Sequence, residues 1–141
     1  MIGGNIMDEV YNSLFVSGTI KDYNELKKNG IKAVINTKSE EHDTISLLTE
    51  MNIAYYYLPI ADWGCPRSDQ IKTLMKIWVS YDEPILLHCA QGRGRSACLA
   101  VAIMVHEGMD IDDAIKQIRE RRPIVTMLDS QIGKIRKEMC K

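Results

Sequence analysis

The segment PILLHCAQGRGRS, residues 84–96, runs from an apolar stretch into a loop carrying two glycines and two arginines, and the sequence after it, SACLAVAIMVH, is apolar on nearly every side. A short, continuous apolar run reads as a strand covered on both faces, and a helix apolar all round is one enclosed by its neighbours. The segment therefore predicts a buried strand over 84–88, a glycine-bearing turn and a buried helix over 96–106. A buried strand followed by a helix is the repeating unit of a parallel sheet, because parallel strands need crossovers.

Working outward, the same alternation repeats. Leu14 to Ser17 reads as a strand and residues 22–29 as a helix, with Gly30 as its left-handed terminator. Residues 31–36 and 54–60 are strand-like and flank a helix-prone stretch over 41–51. Ser68 is an N-cap candidate for a helix to about residue 80, with Ile71, Leu74, Met75 and Trp78 on one face. Beyond Gly108, Asp110 caps a helix to about Arg121, Pro123 breaks it, and an amphipathic helix covers 130–139. The expected fold is α/β: a single domain over 1–141 with a central, mostly parallel sheet of about four to five strands and helices on both faces. Ligands of such sheets bind beyond the carboxyl ends of the strands, where residues 88–96 fall.

With 141 residues, 45% of them hydrophobic, the chain has material for one core. Eighteen basic against nineteen acidic side chains give a net charge of -1, which supplies no broad field for nucleic acid or an anionic membrane. No secretory n-region and h-region stand at the start, and no stretch of about 18 apolar residues follows. A soluble, cytoplasmic protein with no nucleic-acid or membrane partner is expected. Cys65, Cys89, Cys98 and Cys140 show neither a CxxC pair nor metal-ligand spacing, so free thiols are expected rather than a zinc site or a disulfide scaffold.

A glycine-containing turn that feeds a helix N-terminus aims successive backbone N–H groups inward, and the helix dipole adds positive potential. Gly92 and Gly94 keep that concavity free of side chains, and Arg95 offers a planar fork for two oxygens of a tetrahedral anion. A thiol at the start of the turn feels the same field, which favours thiolate. Cys89 is thus the candidate nucleophile facing a bound anion, and a phosphate monoester satisfies both halves of the site.

His88-Cys89-x-x-Gly92-x-x-Arg95-Ser96 resembles the signature HCxxGxxR, followed by Ser or Thr, of cysteine-based protein tyrosine phosphatases and dual-specificity phosphatases. LFVSG, KKNGIKAVINTK, YYYLPIADWGCP and RERRPIV extend the similarity to the compact archaeal-type dual-specificity phosphatases, from about residue 10 onward. The resemblance implies a phosphocysteine intermediate on Cys89. It also implies phosphate binding by the backbone of Ala90, Gln91, Gly92, Arg93, Gly94 and Arg95 and by the Arg95 guanidinium, with no metal or organic cofactor. The implied substrate is a phosphoprotein or phosphopeptide bearing phosphotyrosine and, in a shallow site, phosphoserine or phosphothreonine. Non-protein phosphoesters (an inositol lipid, a nucleotide or an RNA 5′ end) and a phosphopeptide-binding module without turnover are the alternatives.

Asp62, in the loop after YYYLPI, corresponds to the family's general acid, and on its own is equally an ordinary turn aspartate. Asp69 competes for the role but stands where a helix N-terminus favours an acid anyway. Ser96 is read as a hydroxyl donor to the sulfur or a plain N-cap, and His88 as a residue that orients the loop. Gln131 matches a glutamine that positions the hydrolytic water in some relatives, or is a surface glutamine. Arg93 is a rim residue for acidic substrates or a solvated loop arginine. Arg119, Arg121 and Arg122 form a basic cluster that reads as a solvated helix end, where cations are favourable anyway, in preference to a substrate patch. Glu40 and Glu41 are candidate braces for Arg95, by analogy with relatives alone. Cys65 is a candidate redox partner for Cys89, and Cys98 a small apolar filler.

Overall fold

The computed structural model describes residues 6–140; the first five residues and Lys141 of the expected domain lie outside it. Along the chain run β1 (Asp8–Tyr11), β2 (Leu14–Ser17), α1 (Asn24–Lys28), β3 (Ala33–Lys38), α2 (Ile45–Glu50), β4 (Ala54–Ile60), α3 (Ser68–Val79), β5 (Ile85–His88), α4 (Arg95–His106), α5 (Ile111–Arg121) and α6 (Asp129–Met139). The sheet order is β1-β2-β5-β3-β4. The last four are mutually parallel, and β1 lies antiparallel on the edge. This is the expected α/β sheet.

Strand alternation divides the core. Leu14, Val16, Ala33, Ile35, Ile85 and Leu87 join the large cluster formed with α3 to α6, while Phe15, Val34 and Leu86 face Leu26 of α1 and Leu48 of α2. From Ala97 to Met104 every residue of α4 is buried, which is why that stretch carries no polar face. The register pairs Ser17 and Asn36 with His88, and Lys38 with Ile60. The carboxyl ends of the four parallel strands therefore open on one side of the sheet, around residues 88–96.

Three local differences from the sequence expectations have physical causes. β1 was not expected: only Val10 of its four residues is buried, too little alternation to register as a strand. α2 is shorter than 41–51 because the segment before it is committed elsewhere. Asp43 pairs with His88, Asn36 Nδ2 donates to the Glu41 carbonyl, and Thr44 N–H donates to Tyr23 Oη. Ser68 is the first helical residue of α3 rather than its cap: its hydroxyl donates to Glu138, and Gln70 Oε1 instead accepts the Arg67 N–H at 2.9 Å.

Candidate active site

β5 ends at His88, and the chain then curls through residues 89–94 before α4 begins at Arg95. The curl is pinned on one side by β2 and the residues after it: Cys89 N–H donates to Ser17 O at 3.3 Å, and Thr19 donates to Ala90 O through its N–H at 3.0 Å and its hydroxyl at 3.2 Å. On the other side, Thr126 N–H donates to Arg93 O at 2.8 Å. Gly92 sits at φ +65°, and a Cβ there would lie 2.5 Å from both Arg122 Nη2 and the Ser17 carbonyl carbon. Both the left-handed backbone and the close approach exclude a side chain.

Arg122 corrects the reading of RERR as a solvated helix end: it is fully buried. Its Nη2 donates to Gln91 O at 3.0 Å and its Nε to Gly92 O at 2.8 Å, while Nη1 binds Ile6 O at 2.7 Å and Asp8 Oδ2 at 2.8 Å. In a trans peptide the C=O and the following N–H point opposite ways. Holding the carbonyls of Gln91 and Gly92 from behind therefore turns the N–H groups of Gly92 and Arg93 forward. The Gly92 N–H indeed donates to Cys89 Sγ at 3.1 Å. Burial works against the guanidinium charge, and the Asp8 carboxylate supports it.

Cys89 is buried with Sγ 3.3 Å from Ser96 Oγ. Burial opposes ionisation of the thiol, but the Ser96 hydroxyl, the Ser96 and Gly92 amides and the Arg95 charge outweigh it and hold the pKa below the ordinary thiol value. Once the sulfur is thiolate, the hydroxyl is the only proton donor of the pair. Cys98, inside α4, shows the contrast: burial without such donors pushes its thiol up to about 12.

Arg95 is 3% exposed. Nη1 and Nη2 clasp both oxygens of Glu40 at 2.7 and 3.1 Å, and Nη1 also donates to Ile60 O at 3.0 Å. That bond holds the Glu40 carboxyl down at about 2. Of the two candidate braces, Glu40 binds Arg95, whereas Glu41 pairs with buried Lys38. These bonds engage three of the guanidinium's five N–H groups, and Nε–H and one Nη2 hydrogen remain for an anion. Asp62 Oδ1 lies 3.6 Å from Nη2 with its side chain 69% exposed. Asp69, its competitor, pairs with Arg67 on the surface.

A cleft of about 230 Å³ brings the sequence candidates together: Cys89, Ala90, Gln91, Arg93, Gly94 and Arg95 from the loop, Asp62 and Trp63 from the segment after β4, and Gln131 from α6. Ser96 lies beneath the sulfur, and His88 lies behind it, fully buried, with Nε2 2.6 Å from Asp43 Oδ2 and Nδ1 3.3 Å from Cys89 O. Gln131 is no surface residue; it is fully buried. Arg93 is exposed at the rim. Cys65 is an exposed free thiol whose Sγ meets Ser130 O at 3.4 Å. Sequence reading did not find Asp43, Lys38, Gln70 or the role of Arg122, all polar residues whose burial is tertiary in origin.

The family model for the dual specificity phosphatase catalytic domain matches residues 14–138. A "probable protein tyrosine phosphatase type IVA A" of Dictyostelium discoideum is 32% identical over 104 residues, which cover 70% of this chain and 62% of that relative. The alignment thus spans under two thirds of that protein's length. Among solved structures, Tk-PTP in its active form superimposes with TM-score 0.79 at 21% identity, over 94% of this chain and 95% of that one. PTPMT1 in complex with PI(5)P gives 0.84 at 16% identity, over 95% and 94%. At such identities the structural likeness shows the shared fold. Among the described residues no helix is long and apolar enough to cross a membrane.

Proposed function

Because this chain belongs to the dual specificity phosphatase catalytic-domain family, we propose that it hydrolyses phosphate monoesters of proteins through a phosphocysteine on Cys89, with phosphotyrosine as its first substrate. The observation that carries this reading is the sulfur itself: a buried thiol held below its ordinary pKa by Ser96 and Gly92, at the floor of a cleft that Arg95 also enters. A thiolate there is the nucleophile, and the forward-facing amides and the free N–H groups of Arg95 receive the three phosphoryl oxygens.

In the first step the sulfur attacks phosphorus, the S–P bond forms, and the P–O bond to the leaving group breaks as Asp62 delivers its proton to that oxygen. In the second, water attacks phosphorus, Asp62 takes a proton from it, and the S–P bond breaks. The departing thiolate regains the Ser96 hydroxyl. Positioned proton transfer of this kind contributes about 10²–10⁴-fold. The exposed Trp63 ring at the cleft rim gives an aryl ester an apolar surface beside the reacting centre, and this supports phosphotyrosine. Neither the residues 19–24 nor 39–44 line the cleft, so phosphoserine and phosphothreonine peptides are expected to enter as well.

A second reading, an inositol-lipid phosphatase, is prompted by the likeness to PTPMT1, whose structure holds PI(5)P. The uncharged Ala90 and Gln91 in the loop favour the protein substrate. Turnover of p-nitrophenyl phosphate without added metal, abolished in Cys89→Ser and blocked by vanadate, tests the chemistry. Relative kcat/KM on phosphotyrosine peptides and on dispersed phosphoinositides then decides between the two substrates. Vanadate binding without turnover would instead make the domain a binding module.

A further inference from the structure

The segment that carries Asp62 has few contacts of its own. Asp62 is mostly exposed, and so is Trp63, which sits at φ +61° in a turn closed by a 2.7 Å bond from Gly64 N–H to Ala61 O. What fixes the segment comes from two glutamines in equivalent places. Gln70 is the third residue of α3 and Gln131 the third of α6; both side chains are buried. Each Oε1 accepts the backbone N–H of the residue before its helix, Arg67 at 2.9 Å and Leu128 at 2.8 Å. That bond settles the amide orientation, since only the oxygen accepts. Each Nε2 is thereby aimed at the strand-to-loop segment: Gln70 donates to Pro59 O at 2.7 Å and Gln131 to Gly64 O at 2.9 Å.

We propose that Gln70 and Gln131 are positioning residues that moor the two ends of the Asp62 loop to the starts of α3 and α6, and so set where the general acid stands over the scissile oxygen. The inference rests on the proposed role of Asp62. Between the moorings the chain is tied at Ile60 O by Arg95, and the Asp62–Trp63 tip is held only loosely, by the 3.6 Å approach of Asp62 Oδ1 to Arg95 Nη2 among the described residues. Gln131 also adjoins the phosphate loop: a Cβ on Gly94 would lie 3.4 Å from its Nε2. One amide thus spaces the acid loop from the anion cradle. A displaced acid costs most where the leaving group most needs a proton, because kcat/KM covers only the steps through P–O cleavage.

The experiment compares kcat/KM for phenyl phosphate, a poor leaving group, with that for 2,4-dinitrophenyl phosphate, a good one, in wild type, Gln131→Leu, Gln70→Leu and Asp62→Asn. The ratio of the two constants on one preparation does not depend on how much of it is folded. Moorings that act through the acid lower that ratio by about tenfold each, against about 10²-fold for Asp62→Asn. Gln131→Glu separates mooring from helix capping: its carboxylate still accepts from Leu128 N–H but cannot donate to Gly64 O, and the ratio is expected to fall as in Gln131→Leu. An unchanged ratio in the glutamine variants, with kcat alone reduced, would overturn the proposal and leave Gln131 orienting water for phosphocysteine hydrolysis. If Asp62→Asn itself left the ratio unchanged, the acid assignment would fail first and the moorings with it.

Discussion

Replacing Arg122 with methionine keeps much of the side chain's volume and removes the donor that holds two peptides of the phosphate loop. At stake among the described residues are the bonds to Gln91 O, Gly92 O, Ile6 O and the Asp8 carboxylate. Breaking a buried ion pair by deleting one partner costs about 3–5 kcal/mol, which for a domain of this size lowers Tm by roughly 10–15 °C. Asp8→Asn is the milder cut. Its side chain is 29% exposed and the amide oxygen still accepts from Nη1, but the fully buried guanidinium loses its counter-charge, so about 1–3 kcal/mol is expected.

Stability alone would not identify the role, so the decisive readout is the sulfur. With Gln91 O released, its peptide turns more freely, and the Gly92 N–H that now meets Sγ at 3.1 Å is lost for part of the time. The thiolate loses a donor, and the Cys89 pKa rises. Carboxymethylation by iodoacetate, followed against pH at 20 °C, is expected to shift its midpoint upward in Arg122→Met, with weaker protection by vanadate. Arg122→Lys keeps a cation but not the fork that reaches two carbonyls at once, and is expected to shift the midpoint in the same direction. An Arg122→Met protein that alkylates with the wild-type pH dependence would refute the reasoning, whatever its Tm, because it would show that the peptides keep their orientation unaided.

Asp62→Asn is expected to lower kcat on aryl phosphates by about 10²-fold or more and to remove the alkaline limb of the pH–rate profile; a retained limb would move the acid elsewhere. Gly92→Ala places a methyl 2.5 Å from Arg122 Nη2 at φ +65° and should cost at least about 1–3 kcal/mol of stability together with activity. Gly133→Ala, in helix α6 with nothing within 4 Å of the added carbon, should instead raise stability by about 0.5–1 kcal/mol; both are read by thermal melts. Glu40 has its carboxyl lowered from 4.5 to about 2 by Arg95, so its contribution is complete above 4.5 and is lost as pH falls toward 2. Glu40→Gln is therefore expected to flatten the fall of Tm over that window, and an unchanged slope would detach Glu40 from Arg95 in solution.

Most of the fold was legible because apolar pattern and turn chemistry report burial directly. The run 84–88 and the all-apolar α4 could only be central, and Gly30 and Gly108 do take the positive φ expected of helix ends. The loop chemistry was legible for a similar reason: a thiol, two glycines and an arginine in seven residues have few other joint uses. What escaped was polar and buried. Arg122 lies in RERR, a segment whose composition resembles any solvated helix end, and nothing local distinguishes the member that turns inward; Gln131 stood out through the resemblance alone, and its burial was not legible in DSQIGK. Asp43 and Gln70 escaped for the same reason, since each is buried only by contact with a residue remote in sequence.

Yet the presence of an anion cradle implied such residues even where it could not number them. Every amide that faces the anion belongs to a peptide whose carbonyl faces the other way, into the protein, where an unpaired acceptor costs about 1–3 kcal/mol. Glycine, which permits the turn, offers no side chain to supply the missing donor and no steric preference to stop the peptide flipping. A loop such as AQGRG therefore requires a donor-rich side chain from a distant part of the chain, and one group able to serve two successive carbonyls is a guanidinium. Only three arginines cluster late in this sequence, at 119, 121 and 122, and the one next to Pro123 leaves its helix at the point where the chain turns back toward β1 and the loop. Counting outward carbonyls along with inward amides would have pointed the sequence reading to that cluster.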